Sequence, residues 1–451
     1  ICGDIRMNYA EMTARCRRLG GALRTLGLAP GDRVAILAAN SHQYIETYMA
    51  VPATGFAVVP LNTRHAEAEL SYALQDSGAK ILLIDREPGS LAAHVERVVT
   101  IPDGYETLIS EAEEIELGEG VTEQTLAGLF YTGGTTGASK GVMLSHRNLI
   151  ANYHNWIAIT QPTSEDISIV MAPLFHAAGS NSVIASIWSG GAQLIIPAFN
   201  PADILDEISR ERATQTLGVP VMIAALAEEQ HANPRDVSSL RTVAHGASPI
   251  ATEVIRRAIT AFPDAEFVHL YGATELAPLA TVLRHEERMP HSDLLRSCGQ
   301  AVPGVAVRVV NEMGDECAPL EVGEIVVQGP NVMQGYWNKA AETAAALHDG
   351  WYYSGDLGYA DEKNYIFLMD RAKDMIVSGA ENVYCAEVEE VLHQHPAVLQ
   401  AAVFGIPDEK WGEAVHAAIQ LRYPVEAEDL IAFCHGKIAG YKVPKGIDFW
   451  N

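Results

Sequence analysis

Short apolar runs rich in β-branched residues alternate along the chain with longer stretches whose apolar positions recur every three or four residues. The longer spacing places apolar side chains on one face of a helix, whereas a short continuous run is typical of a buried strand. Helical patterns cover 9–26, 201–212 and 251–262, and apolar runs lie at 33–38, 80–85, 194–197 and 267–271. This alternation predicts an α/β fold with a mostly parallel sheet and helices on both of its faces.

The pattern changes near residue 302, where strand-like segments separated by turn residues replace the helix–strand repeat. Residues 305–310 and 323–329 are expected to form antiparallel strands on either side of a turn at 313–315. They predict a small β-barrel-like unit at about 302–370, within a large N-terminal domain at 1–370 built from αβ-layered sheets.

A third pattern follows residue 371. It predicts a helix at 387–395, with Val388, Val391 and Leu392 on its apolar face, and strands near 401–404 and 415–421. We therefore expect a hinge at 371–374 and a small, mobile α+β C-terminal domain at 375–451. At ~150 residues per domain, a chain of 451 residues is long enough for such an arrangement.

Composition narrows the class of protein. Hydrophobic residues make up 48% and charged residues 20%, as in ordinary globular proteins. The net charge of −26 argues against nucleic acid as a partner, because phosphate backbones require a basic face. The six cysteines form no CxxC pair, which fits reduced thiols in the cytoplasm. No run of ~18 apolar residues and no signal peptide is present, so integral membrane contact is not expected.

The strongest chemical signal is the run Tyr131-Thr-Gly-Gly-Thr-Thr-Gly-Ala-Ser-Lys-Gly141. Closely spaced glycines let backbone N–H groups turn inward, and threonine hydroxyls and Lys140 add phosphate-binding groups. A Walker A loop is excluded, because Lys140 follows Ser139 and precedes Gly141. Residues 137–141 also spell GxSxG, the nucleophile elbow of α/β-hydrolases. An elbow serine begins a helix, whereas 141–144 has the pattern of a strand, which favours a phosphate loop.

This run resembles the phosphate loop of the AMP-binding superfamily, which includes acyl-CoA synthetases, peptide-synthetase adenylation domains and luciferases, and the similarity extends over nearly the whole chain. The resemblance implies an adenylate-forming enzyme that uses ATP, Mg²⁺ and, in the acyl-CoA synthetase branch, CoA. It assigns Lys140 to catalysis and Thr132 to Mg²⁺ as well as to phosphate. Gly133 and Ser139 stand where relatives more often carry Ser or Thr, and Pro. The implied nucleotide-binding residues of the loop are Thr132, Gly133, Gly134, Thr135, Thr136 and Gly137.

A second motif, Tyr271-Gly-Ala-Thr-Glu275, ends the predicted strand at 267–271. A carboxylate at a strand end suits a divalent cation that bridges ATP phosphates. The resemblance assigns Glu275 to Mg²⁺, Thr274 to the α-phosphate, and Tyr271 with Gly272 to the adenine. It also places the backbone of Gly246, Ala247 and Ser248 along the adenine ring. His269 lies where relatives often carry Gln, and its role is open.

The segment 173–179, Pro-Leu-Phe-His-Ala-Ala-Gly, is the implied acyl-side motif. The resemblance places His176 beside the incoming carboxylate, where an imidazole can donate a hydrogen bond. An Asp here would hold a substrate ammonium and an Arg a second carboxylate, and neither occurs in 173–180. The small, uncharged residues Ala177, Ala178 and Gly179 suit an apolar monocarboxylic acid.

The remaining assignments lie towards the C-terminus. By resemblance Asp356 and Arg371 hold ribose and phosphate, Lys373 is the hinge, Gly379 borders the pantetheine of CoA, and Trp411 contacts the CoA nucleotide. Cys385 replaces a usual Pro, and a nucleophilic role for it is disfavoured. The family's C-terminal catalytic lysine is expected beyond Lys445, and the sequence ends at Asn451 before reaching it.

These observations favour an acyl-CoA synthetase of the fatty-acyl type, with a small-molecule carboxylic acid, ATP and CoA as partners and a homodimer as one possible assembly. Transfer of the acyl group to a carrier protein or to oxygen would use the same ATP-binding residues, and an aryl-CoA ligase is a further alternative. A GxSxG hydrolase and a non-catalytic nucleotide-binding protein also remain as hypotheses.

Overall fold

The computed structural model describes residues 1–133, 139–248, 250–284, 293–371, 374–378, 381–408 and 411–450. Helices and strands alternate in its first part: α1 (Tyr9–Thr25), β1 (Arg33–Leu37), α2 (His42–Ala53), β2 (Ala57–Pro60), α3 (Glu67–Ser77), β3 (Ile81–Ile84), β4 (Arg97–Thr100), α4 (Asp103–Glu111), β5 (Leu126–Thr132) and β6 (Lys140–Ser145).

The alternation continues through a second part that has the same character: α5 (His146–Thr160), β7 (Ile167–Val170), α6 (Ala177–Ser189), β8 (Ala192–Ile195), α7 (Pro201–Glu211), β9 (Gln215–Gly218), α8 (Pro220–Ala232), β10 (Thr242–Gly246), α9 (Thr252–Ala261), β11 (Glu266–Gly272), β12 (Leu279–Leu283) and β13 (Gln300–Ala301). Short 3-10 helices cover Gly89–His94, Thr274–Leu276 and Asp293–Arg296.

Strands dominate the third part: β14 (Ala306–Val310), β15 (Gly323–Gln328), β16 (Gly335–Tyr336), α10 (Ala340–Ala346), β17 (Leu347–His348), β18 (Trp351–Ala360) and β19 (Ile366–Arg371). The last part mixes both kinds of element: β20 (Ile376–Ser378), β21 (Glu381–Val383), α11 (Cys385–His393), β22 (Val398–Asp408), β23 (Gly412–Leu421), α12 (Ala427–Cys434) and β24 (Gly446–Trp450).

Within the described ranges the strands form two sheets of seven and two of five. The first has the order β16-β6-β5-β2-β1-β3-β4, and the second β13-β12-β11-β10-β9-β7-β8. In each, five neighbouring strands are parallel and two antiparallel strands extend one edge. The predicted mostly parallel strands are therefore divided between two sheets, each with an antiparallel edge, and the predicted α/β fold class is confirmed.

The two smaller sheets follow the predicted changes of pattern. The third has the order β14-β15-β18-β17, with β19 also paired to β18, and its pairs are antiparallel. The fourth has the order β21-β20-β23-β22, with β24 added in parallel to β23. Its apolar core includes Val388, Val391 and Leu392, the predicted inner face of α11. The exact division between domains stays a prediction.

The local structure of α1 shows how sequence fixes an element. Asn8 accepts a hydrogen bond from the Glu11 N–H at 3.0 Å, and the Glu11 carboxylate accepts one from the Asn8 N–H at 2.8 Å. This reciprocal pair satisfies two backbone donors that a helix start leaves free. Among the helices of the described chain, none combines the length and apolar character needed to span a bilayer.

A buried charged cluster joins α1, α2 and α4. The guanidinium of Arg15 donates to both carboxylate oxygens of Glu46, at 2.7 and 3.2 Å, and to both of Glu106, at 2.8 Å each. Glu46 is only 1% exposed and also accepts the Tyr105 hydroxyl at 2.9 Å. Removing the cation leaves a carboxylate buried without charge compensation, which is far more costly than losing a surface pair.

We therefore expect Arg15→Leu to lower the free energy of unfolding by about 3 kcal/mol. The control is Arg17→Leu on the same helix, where the partner Glu116 lies 3.5 Å away at the surface. That change should cost less than about 1 kcal/mol. Urea denaturation followed by circular dichroism measures both, and equal losses for the two variants would contradict the role of burial.

Candidate active site

Two close backbone approaches shape the ends of β10 and β11. A Cβ on Gly246 would lie 2.1 Å from the carbonyl oxygen of Leu270, and one on Gly272 would lie 1.8 Å from that of Pro278. Only glycine fits such contacts. The next residue after β10, Ala247, has a φ of +72°, which turns the chain sharply at the strand end. The two predicted adenine segments are therefore turns held tightly against neighbouring backbone.

These turns border a cleft of about 810 Å³ between the second sheet and the C-terminal part of the chain. Its lining includes six predicted site residues: Ala247, Ser248, Tyr271, Gly272, Asp356 and Arg371. The C-terminal side contributes four acidic residues among mostly apolar ones: Asp374, Glu389, Glu390 and Glu413. The structure thus brings together nucleotide-binding residues that the sequence assigns from four separate motifs.

A hydrogen-bonded group connects three of these residues. The Tyr271 hydroxyl donates to Oδ2 of Asp356 at 2.8 Å, and Nε of Arg371 lies 3.5 Å from Oδ1 of the same carboxylate. Burial, and then the Asp356 charge, raise the pKa of Tyr271 well above its usual range, so its hydroxyl keeps its proton and donates. Asp356 is thereby fixed in orientation, with a carboxylate suited to ribose hydroxyls.

A second group joins the phosphate loop to the predicted metal ligand. Lys140 pairs with Thr132 across β5 and β6, and its Nζ lies 4.7 Å from the ring centroid of Tyr336. The Tyr336 hydroxyl donates to Oε1 of Glu275 at 2.9 Å. Burial and the Glu275 carboxylate raise the pKa of Tyr336 far above its ordinary value. Lys140 and Glu275 therefore lie on the same side of the site, with Tyr336 between them.

Mg²⁺ favours one or two protein carboxylates together with substrate phosphates. Glu275 offers one half-buried carboxylate, in the short helix Thr274–Leu276 that also holds Thr274. The described part of the chain holds no group of three or more His, Cys, Asp or Glu side chains that would build an all-protein metal cage. This donor set fits Mg²⁺ that shares its coordination with ATP.

The base of the phosphate loop is closed by Ser139, whose Oγ donates to the carbonyl oxygen of Thr132 at 2.7 Å. The serine is followed by β6 and not by a helix, which contradicts a nucleophile elbow at 137–141. A Cβ on Gly133 would meet no atom of the described chain within 4 Å, so these residues give no steric reason for glycine there.

His176 lies apart from the nucleotide cleft. It precedes α6 and lines a separate cavity of about 20 Å³ that also includes Tyr131, Ser139 and Phe175. His176 is an exposed residue, yet partial desolvation by the surrounding protein lowers its pKa below the ordinary value, and Arg64 and His65 lower the pKa further. The small size of Gly179 is required by packing, because a Cβ there would lie 2.3 Å from the Pro173 carbonyl oxygen.

Several predicted residues are not brought into the cleft. Trp411 is 44% exposed, and its backbone N–H donates to Oδ1 of Asp408 in the turn between β22 and β23. Thr132, Lys140 and Glu275 lie at the Tyr336 group described above. The predicted phosphate-binding residues Gly134, Thr135, Thr136 and Gly137, the hinge residue Lys373 and the pantetheine contact Gly379 lie outside the described residues.

The C-terminal part closes the cleft through polar contacts. Oε2 of Glu390 on α11 accepts the Thr252 N–H at 3.1 Å, and Arg422 donates to Glu228 of α8 at 2.5 Å. Cys385 lines the cleft, but burial and the nearby Asp370 raise the pKa of its thiol well above its usual range. A protonated, buried thiol is a poor nucleophile, in line with the sequence-based expectation.

Sequence reasoning missed Tyr336 and the Tyr271–Asp356 bond. Tyr336 lies in β16, which pairs with β6 from a distant part of the chain. In the sequence Tyr336 is visible only as part of a short aromatic segment, Gly335-Tyr336-Trp337. That segment does not indicate a role in the site until the pairing of β16 with β6 is known. Arg64 and His65 were also missed, because only the fold brings their loop close to His176.

Comparison with known families matches both parts of the chain. The family model of the AMP-binding enzyme matches residues 1–337, and that of the AMP-binding enzyme C-terminal domain matches residues 387–451. The chain belongs to the AMP-binding enzyme family. The resemblance drawn from the sequence motifs is confirmed, and the protein is an AMP-forming acid–CoA ligase that uses ATP, Mg²⁺ and CoA.

Individual relatives extend over almost the full chain. A feruloyl-CoA synthase of an Amycolatopsis species is 39% identical over 452 residues, covering 99% of this chain and 90% of the relative. A fatty acid–[acyl-carrier-protein] ligase of Streptomyces coeruleorubidus is 33% identical and covers 100% and 89%. The structure of o-succinylbenzoate coenzyme A synthetase from Bacillus subtilis with ATP and magnesium has a TM-score of 0.88 at 32% identity, covering 98% and 90%.

The environment of His176 predicts a neutral imidazole at pH 7. Because its pKa is lowered, the ring should take up a proton only below the ordinary value of 6.5. NMR titration, with the signal assigned by its loss in His176→Gln, should give a midpoint below pH 6.5. Arg64→Gln should move that midpoint upwards, since it removes a neighbouring positive charge. A midpoint above the ordinary value in the unmodified protein would contradict this assignment.

Proposed function

We propose that the protein activates an apolar monocarboxylic acid, a fatty acid in the first instance, and transfers the acyl group to CoA. The observation that carries this proposal is the segment around His176, where residues 173–180 contain no Asp, Glu, Lys or Arg. An ammonium group or a second carboxylate on the substrate would find no charged partner in this segment. Arg64 lies outside this segment but close enough to lower the pKa of His176, and its positive charge suits an anionic carboxylate there.

In the first half-reaction a carboxylate oxygen attacks the α-phosphorus of ATP, the bond to the bridging oxygen breaks, and pyrophosphate leaves. Lys140 and Arg371 provide positive charge for the phosphate oxygens, and His176 donates a hydrogen bond to the reacting carboxylate. Asp356, held by Tyr271, binds the ribose hydroxyls. Glu275 and Thr132 would hold Mg²⁺, which would supply charge neutralisation for the phosphates.

In the second half-reaction the sulfur of CoA attacks the acyl carbon, the thiol gives up its proton, and AMP leaves. A rotation of the C-terminal domain about Lys373 would bring the CoA-binding residues Gly379 and Trp411 to the adenylate. Trp411 is 44% exposed and does not line the nucleotide cleft, so such a change would be needed to bring it to the adenylate.

An aryl acid is the second candidate substrate, favoured by the 39% identity to a feruloyl-CoA synthase. An aromatic propenoic acid also has one carboxylate and no other charged group, so the uncharged segment beside His176 suits it as well as it suits a fatty acid. The two candidates differ in the depth and width of pocket that they require, which is a question for a substrate panel.

The first test is a panel of carboxylic acids scored by AMP release. It should contain fatty acids of several lengths, ferulic acid, a dicarboxylic acid and an amino acid, each with and without CoA. We expect CoA-dependent release with fatty or aryl monocarboxylates and at least about tenfold lower kcat/KM with the dicarboxylic and amino acids. Acyl carrier protein replaces CoA in a parallel series. Release that depends on the carrier protein and not on CoA would overturn the proposed acceptor.

A second test addresses the metal ligand. Glu275→Ala should abolish AMP formation, since the phosphates then lose the protein carboxylate that holds their cation. Pyrophosphate exchange into ATP measures this half-reaction without CoA. Glu266→Ala, at the exposed start of β11, the strand that precedes Glu275, is the matched control and should leave the exchange rate unchanged. Rates of the unmodified protein in Glu275→Ala would contradict the assignment.

A further inference from the structure

The position of Glu275 depends on a segment that the motifs do not include. The side-chain amide of Asn331 donates to the carbonyl oxygens of Leu276 and Leu279, at 2.8 and 2.7 Å. The Met333 N–H donates to the Glu275 carbonyl oxygen at 2.8 Å. Asn331 is fully buried, so these bonds are shielded from water. The backbone of the metal-ligand turn is therefore held by residues that directly precede β16.

The side chain of Glu275 is held by the same segment. Tyr336 follows in β16, pairs with Val142 of β6 and is 6% exposed. Its backbone N–H donates to Oγ1 of Thr343 at 2.9 Å, which fixes the strand from its outer side. With the backbone secured on both sides, the hydroxyl donates to Oε1 of Glu275 at 2.9 Å. The acceptor Oε1 is engaged by this bond, and among the described residues no hydrogen bond reaches Oε2.

The ring of Tyr336 contacts the other charged group of the phosphate site. Nζ of Lys140 lies 4.7 Å from the ring centroid, within the ~6 Å range of a cation–π interaction. A flexible lysine is thereby restricted at the start of β6, where Lys140 lies opposite Thr132. One side chain thus contacts both the carboxylate assigned to the cation and the ammonium assigned to the phosphates.

We propose that Tyr336 is a positioning residue, which orients the Glu275 carboxylate towards the divalent cation through its hydroxyl and the Lys140 ammonium towards the phosphates through its ring. The inference rests on the proposed function, because it takes Glu275 as the ligand of the metal–ATP complex. Partners that hydrogen-bond to a ligating carboxylate fix its orientation, and their loss typically weakens metal affinity ~10–100-fold.

The test separates the two contacts. Tyr336→Phe removes the hydroxyl and keeps the ring, and Tyr336→Leu removes both. Binding of Mn²⁺ in the presence of α,β-methylene-ATP, followed by electron paramagnetic resonance, reports the metal site without turnover. We expect Tyr336→Phe to weaken Mn²⁺ binding ~10-fold. Binding of the metal-free nucleotide should be unchanged in Tyr336→Phe and ~3-fold weaker in Tyr336→Leu, because only the latter loses the platform for Lys140.

Tyr105→Phe is the matched control, since the Tyr105 hydroxyl also donates to a glutamate, Glu46, at 2.9 Å, outside the site. It should lower the melting temperature without changing Mn²⁺ binding. In a Glu275→Gln background, Tyr336→Phe should cause no additional loss of Mn²⁺ affinity, because the hydroxyl acts through the carboxylate. An equal additional loss in that background would overturn the positioning role.

Two further outcomes identify which claim fails. Unchanged Mn²⁺ binding in Tyr336→Phe, together with weakened binding in Glu275→Gln, would overturn the inference and leave the metal assignment intact. Unchanged binding in both variants would overturn the inference together with the assignment of Glu275. Acyl-CoA formation by the unmodified protein is measured separately, so the proposed function is judged independently of either result.

Discussion

The contact between Tyr271 and Asp356 is the constraint on which the nucleotide cleft depends. Tyr271 ends β11 of the second large sheet, and Asp356 lies in β18 of the third sheet, opposite Arg371. The buried Tyr271 hydroxyl, which keeps its proton, donates a hydrogen bond of 2.8 Å to the Asp356 carboxylate. Because the two residues belong to different sheets, this bond sets the position of the carboxylate proposed to bind ribose relative to the turns at Gly246 and Gly272.

Much of the fold and many of the site residues could be predicted from the sequence, for a physical reason. Strands β1, β2 and β3 are buried along almost their whole length, so their composition is apolar with little interruption. The turns after β10 and β11 require glycine, because an added Cβ would lie about 2 Å from a backbone oxygen, and this requirement leaves a short, recognisable motif. Requirements of this kind involve residues that are neighbours in the sequence, so the sequence alone reveals them.

Other features could not be predicted because they arise between distant segments. The division of the parallel strands into two sheets depends on which strands pair, and periodicity does not encode that choice. Tyr336 reaches Glu275 only because β16 pairs with β6. Arg15 in α1 is an ordinary helix residue until α2 and α4 place their glutamates around it. Arg64 likewise influences His176 only because the fold brings its loop there.

The distribution of charge around the cleft favours one orientation of ATP. The protein carries a net charge of −26, and Asp374, Glu389, Glu390 and Glu413 give the C-terminal wall of the cleft a negative character. A triphosphate placed against that wall would meet like charges at short range. Lys140 lies instead at the β5–β6 turn, beside Tyr336 and Glu275. These charges favour the base and ribose between the sheets and the phosphates near Lys140, away from the acidic wall.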